Sequence, residues 1–118
     1  MVSDWLERRA ALSPERVALT DTIRGGRTIT YRAWNGAVNR TARFLRKLGV
    51  ERGDRVAVLA MNAVEVLDVW FACAKLGAIF QPLNWRLTAT ELALLIADGT
   101  PKVLVFGPDF SAHVETLR

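Results

Sequence analysis

The chain has one cysteine and one histidine in 118 residues. Cys73 therefore cannot form an internal disulfide, and its neighbours Phe71, Ala72 and Ala74 suggest a buried helix, not an activated thiol. His113 has no cysteine or second histidine spaced to complete a metal site, so it reads as a surface residue. No serine, histidine and aspartate share the spacing of a hydrolase motif. The first residues, Met1 to Trp5, lack a basic stretch leading into an apolar run, and no apolar run approaches the ~18 residues of a membrane span. A cytoplasmic location is the resulting expectation. Glycine-rich phosphate motifs are missing too: the turn at Ala60, Met61 and Asn62 has no G-x-G-x-x-G, and no G-x-x-x-x-G-K-[ST] occurs. Gly99 to Lys102 resembles the end of such a loop but lies between a helix end and a strand, where turn chemistry explains it.

What is present fits a folded domain, with 51% hydrophobic and 24% charged residues. The net charge of +4 rests on thirteen arginines against three lysines. This permits contact with phosphates or anionic lipid without requiring it, and no nucleic-acid partner is expected. Ser3 is a candidate N-cap for a short first helix that Ser13-Pro14 would stop. Arg16 to Ile23 and Arg27 to Thr30 then predict a hairpin turning at Gly25-Gly26. Thr30 would cap a second helix with Trp34, Val38, Leu45 and Leu48 on its buried side, ended by Gly49. Its other side carries Arg32, Arg40, Arg43, Arg46 and Lys47, and no acid lies between Tyr31 and Leu48. That face reads as a solvated surface or as a docking face for anionic lipid or an acidic partner.

From Gly53 onward strand and helix alternate, predicting parallel strands joined by crossover helices. The strands are Arg55 to Ala60, Ala78 to Leu83 and Lys102 to Phe106. A helix from about Ala63 to Leu76 would be capped by Asn62 with Glu65 reaching back, and Thr88 with Glu91 forms a second capping box, followed by Leu92, Leu95 and Ile96 on a buried side. Gly99 and Pro101 end that helix, and a last one starts at Ser111. The expected class is α/β: a three-stranded parallel βαβαβ unit over residues 53–118, preceded in 1–52 by a helix, a hairpin and a basic amphipathic helix. The 63–76 helix is apolar on nearly every side and would normally be buried all round. Little in this chain could cover it, and the last helix is short, so the chain is expected to be a piece of a larger protein that self-associates through that helix when alone.

Gly53 to Leu59, Asn62, Ala72 to Ala78, Pro82 to Leu87, Glu91-Leu92 and Lys102 to Val105 together resemble AMP-forming acyl-CoA synthetases. Leu19 to Asp21 and Ile29 to Tyr31 fit the same register. The resemblance covers essentially the whole chain and implies the amino-terminal segment of the large domain of an adenylate-forming enzyme. The implied reaction joins a carboxylic acid to CoA through an acyl-adenylate, using ATP and magnesium, with fatty acids weighted first. The family's phosphate loop, its acidic groups for metal and ribose and its mobile-domain lysine have no counterpart in 1–118, so no catalytic or metal-ligating residue is assigned and the segment is expected to be inactive alone. By the same resemblance, Arg86 occupies the position of an arginine near the nucleotide portion of CoA; an ordinary surface or inter-domain ion pair is the competing reading. Trp85 stands where relatives often have proline, a departure from the family pattern in this loop. Two alternatives stand: an adenylation domain that loads a carrier protein, and a non-catalytic binding or assembly module.

Overall fold

The computed structural model describes residues 4–22, 25–60 and 63–117. Helix α1 (Trp5–Leu12) leads into a hairpin of β1 (Val17–Asp21) and β2 (Arg27–Thr30), then helix α2 (Tyr31–Lys47). The succession β3 (Arg55–Leu59), α3 (Val64–Leu76), β4 (Ile79–Pro82), α4 (Ala89–Gly99) and β5 (Val103–Phe106) follows, and a 3₁₀ turn (Pro108–Phe110) precedes α5 (Ser111–Leu117). The expected α/β class and the parallel βαβαβ unit are both present.

The three strands of this unit pair in parallel in the order β4-β3-β5. The central strand is apolar at four successive positions because both its faces are covered. Val56 and Val58 face a core built from α1, α2 and α3, with Leu6, Trp34, Val38, Leu45, Val69 and Cys73. Ala57 and Leu59 face a second core with Leu83, Leu92 and Phe110. Successive strand residues point to opposite faces, so α3 and α4 lie on opposite sides of the sheet.

The helix ends follow local chemistry. Thr30 Oγ1 accepts from the Ala33 N–H at 3.2 Å, as expected. At the other end of α2, Gly49 takes φ +94°. This lets the Val50 N–H reach the Leu45 carbonyl and the Gly49 N–H reach that of Arg46, the paired bonds of a Schellman motif. Gly77 repeats the device after α3, where the Ala78 N–H reaches the Cys73 carbonyl. Thr88 and Glu91 form the expected capping box, and the Thr88 backbone N–H bond, with its hydroxyl, holds the Glu91 carboxyl below its usual pKa.

Several expectations need correction. Asp4 caps α1, its Oδ1 accepting from the Glu7 N–H at 3.1 Å, while Ser3 lies outside the described residues. Helix α3 begins after Ala63 with no side-chain cap bond, and Asn62 lies outside the described residues. Leu48 is 46% exposed, because the Schellman turn leaves it on the outer side while Val50 fills the core beside Leu45. Leu95 is exposed as well: α4 lies over one narrow sheet, and its buried residues are Leu92 and Gly99. Gly99 is the last residue of α4, and Thr100 takes the left-handed φ of +44°. The Gln81 side chain packs closely on Gly99, and a Cβ there, 2.5 Å from the amide nitrogen, would make that side chain shift.

The joint between α2 and α3 carries a polar tie. Trp34 Nε1 donates to Asp68 Oδ1 at 2.9 Å. Burial raises the Asp68 pKa above its ordinary value, with Glu65 adding to the rise, and the Trp34 bond, Arg40 and Arg27 opposing it. A carboxyl whose folded-state pKa is raised contributes stability fully below its unfolded pKa and loses it as pH rises through the folded one. Asp68→Asn keeps an acceptor and removes the charge, so thermal melts should show it at least as stable as wild type at neutral pH, with the difference closing under acid. Asp68→Ala leaves the buried indole N–H without its partner and should cost about 1–3 kcal/mol at both pH values.

Candidate functional site

Strand β3 is followed by α3 on one face of the sheet, and β5 by the 3₁₀ turn whose Phe110 lies in the core of the other. Where adjacent parallel strands send their following segments to opposite faces, a crevice opens beyond their carboxyl ends. Here it is a cleft of about 830 Å³. Ala60 lies at its floor, Phe106 to Phe110 on one flank, and Ala63, Glu65, Val66 and Val69 on the other, while Trp85 and Arg86 approach from the loop after β4.

The loop that presents Arg86 is shaped by Asn84. Its side-chain oxygen accepts from the Arg86 N–H at 3.0 Å, and its carbonyl accepts from the Leu87 N–H at 3.1 Å. An asparagine that bonds the backbone two residues on fixes a tight turn without proline, which accommodates Trp85. The Arg86 guanidinium carbon lies 4.9 Å from the centre of the Trp85 ring, and that ring lies 6.4 Å from Phe110. Arg86 is exposed and makes no ion pair among the described residues. Its planar donors remain available to an anion such as phosphate.

Sequence reasoning missed the acidic wall. Asp21, at the end of β1, lines the same cleft although it is only 7% exposed, and it pairs with Arg27 across the hairpin at 3.4 Å. Glu65 and Asp109 line the cleft as well. The Leu19 to Asp21 wording marked the hairpin, but nothing local signalled that it would stand beside the ends of β3 and β5. No group of three or more histidine, cysteine, aspartate or glutamate side chains suited to a metal occurs among the described residues. The side chain of His113 lies outside them.

With the cleft and its arginine in place, comparison with known proteins decides the lineage. The family described as AMP-binding enzyme matches residues 6–117. The chain belongs to that family. It is 40% identical over 117 residues to an indoleacetate–CoA ligase of Aromatoleum aromaticum, covering 99% of this chain and 22% of that protein. It is 36% identical over 113 residues to the long-chain-fatty-acid–CoA ligase FadD13 of Mycobacterium tuberculosis, covering 96% and 22%. A solved fatty acyl CoA synthetase of Mycobacterium tuberculosis superposes with a TM-score of 0.90 at 35% identity, again over 96% of this chain and 22% of that one. The chain thus spans about a fifth of the length of these members of the AMP-binding family, and its fold is that of the corresponding part of an adenylate-forming CoA synthetase. Among the described residues no helix is long and apolar enough to cross a membrane.

Cys73 lies outside this cleft and is buried. Burial pushes its thiol up to about 11. Because the thiolate is the reactive form, alkylation by iodoacetamide at mildly alkaline pH should be slow in the folded protein and speed up at least roughly tenfold in denaturant. Mass spectrometry of the modified chain would measure both rates, and equal rates would contradict the buried placement.

Proposed function

We propose that this chain is the amino-terminal part of the large domain of an ATP-dependent acyl-CoA ligase, with residues 53–118 supplying the parallel framework and 1–52 packed upon it. The whole enzyme converts a carboxylic acid, ATP and CoA to acyl-CoA, AMP and pyrophosphate through an acyl-adenylate. Magnesium balances the phosphate charge in the first step. The observation that carries this reading is the exposed Arg86, without an ion pair among the described residues, which the Asn84 turn presents to the cleft. In it, Arg86 binds the phosphates of the CoA nucleotide, with Trp85 beside it offering an aromatic face. The residues fit that group at Arg86, whereas the other charged side chains lining the cleft, Asp21, Glu65 and Asp109, are acidic.

Fatty acids are the first substrate class, supported by the match to the long-chain ligase. Aromatic acids form the second reading, favoured by the 40% identity to the indoleacetate ligase. Loading of a carrier protein in place of CoA would make Arg86 dispensable. In the full-length enzyme, Arg86→Glu should therefore raise the KM for CoA roughly tenfold or more while acid-dependent ATP–pyrophosphate exchange persists. An unchanged CoA KM would remove Arg86 from the site. Residues 1–118 alone should show no such exchange with any carboxylic acid, and measurable turnover would refute the assignment of catalysis to the remainder of the protein.

The remainder of the polypeptide is also the proposed cover for the outer side of α3. Trp70 is 51% exposed and stacks on Phe80 at 5.9 Å. Residues 1–118 on their own should self-associate through this apolar surface. Light scattering would report growth in mass with concentration, and Trp70→Lys should reduce it; a wild-type monomer at high concentration would contradict the proposal.

A further inference from the structure

The outer face of α2 combines positive charge with exposed apolar side chains. Arg32 is paired, to Glu15 at 2.8 Å. Arg40, Arg43, Arg46 and Lys47 are exposed and make no ion pair with a described residue. To one side of these cations lie Phe44, 59% exposed, and Leu48, 46% exposed, four residues apart and therefore one turn apart along the same side. At about 100° per residue, Phe44 and Leu48 fall on one flank together with Ala33 and Ala37, and Arg40 and Lys47 border that flank directly. The side chain of Lys102 lies beside Gly49, its Cε 3.5 Å from where a Cβ there would stand, which carries the positive surface past the end of the helix.

We infer that this face of α2 binds the surface of an anionic lipid bilayer, lying in its plane. The argument is charge complementarity joined to depth. Arginine and lysine meet lipid phosphates at the headgroup level, and their apolar stems let them do so while the helix sits lower. Phe44 and Leu48 then reach the acyl boundary, which offers them an apolar phase behind a layer of negative charge. An acidic protein would satisfy the cations but would give Phe44 and Leu48 no such environment. Nothing else in α2 needs these two side chains outside: its core side is complete with Trp34, Val38, Ala42 and Leu45. Such a face would hold the enzyme on the membrane by a contact separate from the cleft.

The test is co-sedimentation of the protein with vesicles of phosphatidylcholine alone and with about one-third phosphatidylglycerol, at low and high salt. The expected result is binding only to the anionic vesicles, weakened by salt. The combined substitutions Arg40→Gln, Arg43→Gln and Lys47→Gln should reduce it roughly tenfold or more. Phe44→Ser with Leu48→Ser should also weaken vesicle binding roughly tenfold, while leaving any binding to soluble poly-glutamate unchanged. All five positions are exposed, and circular dichroism would confirm that each variant keeps the wild-type fold. Equal binding to neutral vesicles, or none to anionic ones, would overturn the inference. So would anionic binding indifferent to Phe44 and Leu48 and matched by poly-glutamate, which would identify an acidic protein as the partner.

Discussion

Burial of β3 on both faces is the constraint from which the rest of the architecture follows. Val56, Ala57, Val58 and Leu59 are all removed from solvent, so each face of the strand needs its own cover. A parallel strand cannot be joined to its neighbour by a tight turn, and the crossover supplies that cover as a helix. One crossover, α3, fills one side and the next, α4, fills the other. Because β4 and β5 then flank β3 on opposite edges, the segments leaving β3 and β5 diverge and the cleft opens between them. The site's position is thus a consequence of packing one strand.

The same constraint explains what the sequence made legible. Val56 to Leu59 is an apolar run too short for a helix and too continuous for a half-exposed strand, so it could be read as a strand of a parallel sheet, though not as its central one. Gly49, Gly77, Thr30 and the Thr88–Glu91 pair act within four residues of themselves, and each does what its local chemistry indicated. The misreadings arise where the third dimension decides. Leu48 and Leu95 fall near the apolar side of their helices by angle alone, but a helix end that turns away and a helix resting on one narrow sheet leave them outside. Gly99 was legible as a stop, but nothing local signalled that the Gln81 side chain of β4 would pack closely on it. Asp4 couples the cap of α1 to Lys75 near the end of α3, a pairing across seventy residues that no local pattern announces.

The site divides in the same way. Arg86 was placed by wording, since Pro82 to Leu87 carries the family likeness, and the structure adds the Asn84 turn that aims it at the cleft. Asp21 could not have been placed, because its role depends on where an antiparallel hairpin is carried by α2. That hairpin shares no sheet with β3 and packs through Ala18, Leu19 and Ile29 against the core of the helices.

The distribution of charge around the cleft also bears on how it would serve a nucleotide. Asp21 is buried and paired with Arg27, while Glu65, Asp109 and Arg86 are exposed along its walls. A polyphosphate is drawn to the guanidinium and repelled by the exposed carboxylates, so in the proposed reading it would be held on the Arg86 side of the cleft. In a CoA molecule the charged nucleotide and the reacting thiol are at opposite ends. In the proposed reading, recognition at Arg86 therefore leaves the thiol end free to extend toward a catalytic centre in the remainder of the enzyme. A framework segment with one outward-facing cation suits that division of labour better than a pocket lined with cations, which would draw the whole nucleotide inward.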